Sequence, residues 1–75
     1  MKLPLLEARK LVKILEGQGY TKARQRGSHA QYEKNGNVVT VPIHHGKPVG
    51  RGILRKIMRD MELSHDEFIK LVEAL

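Results

Sequence analysis

The chain has 75 residues, with 14 Lys or Arg against 8 Asp or Glu, no cysteine and 40% apolar side chains. A chain this short buries only about 60–65% of the surface it exposes when unfolded, so one small domain over residues 1–75 is expected. The lack of cysteine excludes disulfides and thiolate zinc sites and suits a reducing, cytoplasmic setting, and the net charge of +6 points to a polyanion as partner, nucleic acid before an acidic protein.

Residues 4–16 (PLLEARKLVKILE) put Leu5, Ala8, Leu11, Val12 and Leu15 on one stripe at spacings of three and four, which predicts an amphipathic helix. Pro4 suits its first position and Gly17 the residue just past its end. Lys2, Arg9, Lys10 and Lys13 break up the leucines, so neither a membrane span nor a signal peptide is expected. Residues 20–26 (YTKARQR) alternate instead and read as a short strand with Lys22, Arg24 and Arg26 on one side.

Two runs, SHAQYEK and NVVTVPIH, flank Asn35-Gly36, the dipeptide that most favours a two-residue type I′ hairpin because both loop positions need positive φ. Such a loop pairs Lys34 with Asn37, Tyr32 with Val39, Ala30 with Val41 and Ser28 with Ile43. One face then carries Ala30, Tyr32, Val39, Val41 and Ile43. The other carries His29, Gln31, Glu33, Thr40, Pro42 and His44, and a slip of one residue mixes the two. Pro42 has no N–H to donate, which makes the third strand a sheet edge.

Residues 50–61 (GRGILRKIMRDM) return to helical spacing, with Ile53, Leu54, Ile57, Met58 and Met61 on one face and Arg51, Arg55 and Arg59 in a row on another. Ser64 and Glu67 form a capping box for a short terminal helix, with Leu63 and Phe68 as its hydrophobic staple and His65 in a structural place. The sum is an α+β chain of order α-β-β-β-α with a short extra C-terminal helix. Both main helices cover one face of a three-stranded antiparallel sheet. The histidines fall on the uncovered face.

In this register His29 faces Pro42 and lies diagonal to His44, their Cβ atoms about 7–8 Å apart. RNA brings its own nucleophile, the 2′-OH, so a metal-free nuclease needs a base, an acid and cations for the pentacoordinate phosphate. Histidine serves as either base or acid, and Lys22, Arg24 and Arg26 are the cations one strand away. An exposed strand histidine is by default a solvated surface residue, and a row of arginines by default a solvated helix face. The row Arg51, Arg55, Arg59 nevertheless adjoins a helix start at Gly50 and Gly52 whose N–H groups suit a phosphate. Zinc on His29, His44 and His45 is disfavoured because 44 and 45 point to opposite faces, and only Glu33 is near enough to support a metal-dependent nuclease. No metal or cofactor is expected. Three aromatic residues, Tyr20, Tyr32 and Phe68, are too few for a base-stacking platform.

Gly27-Ser28-His29 followed by Tyr32, then VTVPIH at 39–44, then Gly52, Leu54, Ile57 and LSHDEF at 63–68 resemble the HicA family of toxin-antitoxin ribonucleases over nearly the whole chain. The resemblance implies a double-stranded-RNA-binding-domain-like fold, an mRNA interferase that cleaves RNA and inhibits translation, and a HicB-like antitoxin. In that family the histidine of the Gly-Ser-His motif is catalytic, which falls on His29, with His44 a candidate second group. Ser28, Lys22, Arg24, Arg26, Arg51, Arg55 and Arg59 are the expected RNA contacts. The chain departs from many relatives at Ala30, where they have a second histidine, and at Ile53, where they have threonine; Ala30 faces inward. Two other readings of the same charge are a non-catalytic double-stranded RNA binding module and a basic surface that docks an acidic protein.

Overall fold

The computed structural model describes residues 3–44 and 46–75. His45, weighed above as a zinc ligand, lies outside the described residues. In chain order the elements are β1 (Leu6–Glu7), α1 (Ala8–Gly17), β2 (Thr21–Arg26), β3 (His29–Lys34), β4 (Asn37–Pro42), β5 (Pro48–Val49), α2 (Arg51–Asp60) and α3 (His65–Glu73). The fold is α+β in the expected α-β-β-β-α order. Strands β2, β3 and β4 form one antiparallel sheet in that spatial order, and β1 pairs with β5 in a separate two-stranded sheet.

The β3–β4 hairpin has the register read from the sequence, from Lys34 opposite Asn37 to His29 opposite Pro42. Asn35 and Gly36 have φ of 50° and 83°, as a type I′ loop requires. Its inward side chains, Ala30, Tyr32, Val39 and Val41, share one core with Leu11 and Leu15 of α1, Leu54 and Ile57 of α2 and Phe68 of α3. Both long helices therefore lie on one face of the sheet, and His29, Gln31, Glu33, Val38, Thr40 and Pro42 occupy the other.

Two boundaries and one face assignment differ from the sequence expectation. The first helix starts at Ala8 rather than Pro4, because Leu3 and Leu6 are buried in an extended segment whose residues Leu6 and Glu7 pair with Val49 and Pro48. Leu5, assigned to the helical stripe, is left 62% exposed. Gly17 is the last helical residue, not the one beyond; the left-handed residue is Gly19 at φ 94°. There Gly19 N–H donates to Glu16 and Tyr20 N–H to Leu15, the Schellman closure that needs a positive φ. Ile53 is 45% exposed, because the buried stripe of α2 is Leu54, Ile57, Met58 and Met61 and Ile53 stands at its margin.

Helix α2 ends in the same closure, with Glu62 N–H donating to Arg59 and Leu63 N–H to Met58. Its left-handed position is held by Glu62, at φ 59°. A side chain costs about 1–2 kcal/mol there and glycine nothing. Helix α3 then begins at the expected capping box: Glu67 N–H donates to Ser64 Oγ at 3.1 Å, and Ser64 N–H donates to Glu67 Oε1 at 2.9 Å. The bond from the Ser64 backbone, and then the one with its side chain, hold the Glu67 carboxyl below its usual range.

Two outcomes follow from these ends. Glu62→Gly is expected to raise Tm by a few degrees in thermal denaturation, from about 1 kcal/mol of relieved backbone strain; an unchanged or lower Tm contradicts that. Because the Glu67 pKa is lowered on folding, its stabilisation is full above the ordinary carboxylate range and lost as pH falls through that range towards the lowered value. Amide protection factors in the first turn of α3, corrected for intrinsic exchange, should fall over that interval in the wild type and stay level in Glu67→Gln.

Candidate nucleic-acid interface

Residues directly opposite in a sheet share a face, so the register fixes the open face as three rows: Arg26–His29–Pro42, Arg24–Gln31–Thr40 and Thr21–Glu33–Val38. The first row owes its place to the β2–β3 turn. Gly27 and Ser28 alone connect Arg26 to His29, and Gly27 has φ 55° while Ser28 is not in the left-handed region, the glycine-first pattern of type II′ loops. Gln25 Nε2 donates to the Gly27 carbonyl at 3.0 Å, and Ile43 N–H donates to the Ser28 carbonyl. The turn is thus held from two sides, and it delivers an exposed His29 as the first residue of β3. Ser28 is half-buried, and its hydroxyl makes no hydrogen bond among the described residues.

Strand β2 carries a bulge. Lys22 lies opposite Tyr32, but Arg24 lies opposite Gln31, so one extra residue between them reverses the parity of the strand. This corrects the expectation that Lys22, Arg24 and Arg26 share a side. Lys22 stands on the Tyr32 side of the sheet, at an edge strand where every residue is exposed. Arg24 and Arg26 stand with His29 and Gln31, and these four line a hollow of about 280 Å³.

His44 is not in that hollow. Strand β4 ends at Pro42, and His44, two residues on, lines a larger hollow of about 460 Å³ against α1, with Val12, Ile43 and the charged Glu7, Arg9, Lys13 and Glu16. His29 and His44 thus line different hollows. Arg55 and Arg59 are exposed on α2, while the Arg51 Nε donates to the Leu3 carbonyl at 3.1 Å. The sheet stands between this row and His29. Among the described residues, no three His, Cys, Asp or Glu side chains come together to hold a metal ion, and no helix is long and apolar enough to cross a membrane.

The hollow therefore offers one imidazole flanked by two guanidiniums, with a carboxamide in the next row. Guanidinium is permanently charged and its forked donors fit two phosphate oxygens at once. Histidine is the side chain that trades protons most readily around neutrality. Gln31, on the face read from the sequence but given no role there, is the one lining residue that the sequence reading passed over; its signal was its place two residues after His29 on the same face.

A family model described as the HicA toxin of bacterial toxin–antitoxin systems matches residues 8–63. No curated protein matches the sequence. The matched span takes in α1, the whole three-stranded sheet and α2, and stops before α3. Titrating inorganic pyrophosphate into isotope-labelled protein is expected to move the amide resonances of Arg26 and His29 and leave that of His44 in place. Equal movement at both histidines contradicts the separation of the two hollows.

Proposed function

The chain belongs to the HicA family of toxins from bacterial toxin–antitoxin pairs, and on that premise we propose that it is a metal-independent endoribonuclease, an mRNA interferase that cuts mRNA and stops translation in the cytoplasm. The observation that carries the reading is the single exposed imidazole of His29 in a hollow whose remaining lining is Arg24, Arg26 and Gln31.

In this reading the RNA phosphate sits between the two guanidiniums. His29 takes the proton from the 2′-OH, the 2′-oxygen attacks phosphorus, and Arg24 and Arg26 stabilise the charge of the pentacoordinate phosphate. The bond to the 5′-oxygen breaks, and water supplies the proton that the departing oxygen takes up. The products are a 2′,3′-cyclic phosphate and a 5′-hydroxyl. His44, in its own hollow, takes no part in the step. Ser28 and the exposed Arg55 and Arg59 add contacts outside the reacting phosphate, and Arg51 contributes less because it is tied to Leu3. A HicB-like antitoxin that covers the open sheet face or the arginine rows would silence so small an enzyme by excluding RNA.

Cleavage of a long single-stranded RNA in EDTA tests this. Wild type and His44→Ala are expected to cut and to leave cyclic phosphate ends, whereas His29→Ala, shown folded by circular dichroism, loses about 10²–10⁴-fold in rate. Binding without cleavage by the wild type supports the non-catalytic RNA-binding reading instead, and loss of wild-type activity on adding EDTA contradicts the metal-free step.

A further inference from the structure

The hollow beside His29 contains one side chain that the proposed cleavage leaves without a task. Gln31 is half-buried on the central strand, between Arg24 on β2 and Thr40 on β4. Its carboxamide makes no hydrogen bond among the described residues, whereas Gln25 in the same sheet is bonded to the turn. A carboxamide carries two N–H donors and an acceptor oxygen, and Gln31 lines the hollow with none of them bonded within the described residues.

The arrangement of charge says which part of a nucleic acid meets it. Both cations of the hollow come from β2, so a phosphate backbone follows that edge and its bases lie inward, over β3 and β4. The third row, Thr21–Glu33–Val38, has a carboxylate and no cation, which closes the path to phosphate in that direction. Rows on one strand face are separated by two residues, about 6.6–6.8 Å. With a phosphate at Arg26 and His29, the neighbouring base therefore falls on Gln31.

Stacking does not hold that base. Tyr20, Tyr32 and Phe68 are all buried, so the open face presents no aromatic ring and recognition depends on hydrogen bonds. Of the uncharged polar residues on this face, Thr21, Gln31 and Thr40, only Gln31 lines the hollow. Building on the ribonuclease reading, we propose that Gln31 is the specificity-determining residue of the site: its carboxamide reads the edge of the base next to the reacting phosphate. The preferred base is adenine, whose N6 donor and N7 acceptor lie side by side as a carboxamide requires.

Binding separates this proposal from the cleavage it rests on. In a His29→Ala background, where RNA stays intact, oligoadenylate is expected to bind about tenfold more tightly than oligocytidylate or oligouridylate. Adding Gln31→Ala should bring the three within about twofold while the salt dependence stays, since Arg24 and Arg26 remain. Gln31→Glu should turn the preference to cytosine, whose N4 amine donates to a carboxylate. An adenine preference that persists in Gln31→Ala, or equal binding of all three oligomers by the His29→Ala protein, overturns the proposal. Gln31-dependent preference in a wild type that cuts nothing sinks the ribonuclease reading and leaves base recognition standing.

Discussion

Everything else in this molecule depends on the register of the β3–β4 hairpin. Side chains on a strand alternate, so a single residue of slip exchanges the faces of the sheet. In the register observed, Ala30, Tyr32, Val39 and Val41 enter the core and His29 and Gln31 stay outside. Burying a valine side chain is worth about 1.5–3 kcal/mol, and a slipped hairpin would expose Val39 and Val41 while forcing His29 inward. The loop residues Asn35 and Gly36 accept the left-handed backbone that this pairing needs. Asn37, at the foot of the hairpin, donates through Nδ2 to the Tyr20 hydroxyl at 2.8 Å and to the Asp60 carbonyl at 2.6 Å. Those bonds tie the hairpin to the start of β2 and the end of α2. Burial, and then the nearby Glu16 charge, push the Tyr32 phenol above its usual pKa.

The parts that were legible in the sequence are those whose signal is local. Asn35-Gly36 with alternating runs on both sides specifies the hairpin pair by pair, and Ser64 with Glu67 specifies the start of α3. The β1–β5 ladder was not legible, because a two-residue pairing between positions 6–7 and 48–49 leaves no periodicity, and leucines at the N-terminus fit a helix equally well. That His44 lines a hollow against α1 was not legible for a related reason. VTVPIH reads as one extended run, whereas β4 ends at Pro42 and one further backbone bond, from Ile43 N–H to the Ser28 carbonyl, lies beyond it.

The bulge in β2 had a signal that needed two facts at once. Tyr20 is buried, and Lys22, Arg24 and Arg26 follow it at even spacing. Strict alternation would send all three cations to the core side with it. An extra residue between Lys22 and Arg24 resolves the conflict and turns two of the three outward to meet His29. The distribution of charge on the finished fold is correspondingly uneven: Arg9, Lys10 and Lys13 on α1 and Arg55, Lys56 and Arg59 on α2 are exposed on the helical side, and the hollow has two cations. In the proposed function, net charge attracts the polyanion and the bulged strand sets where on the open face its phosphate is held.

The most direct test of this account is a structure of the protein with a short RNA made uncleavable by a 2′-deoxy residue at the reacting nucleotide. The account predicts a phosphate within hydrogen-bonding distance of Arg26 and His29, with the strand running along β2. A phosphate backbone laid along Arg55 and Arg59, with the His29 hollow unvisited, would contradict it.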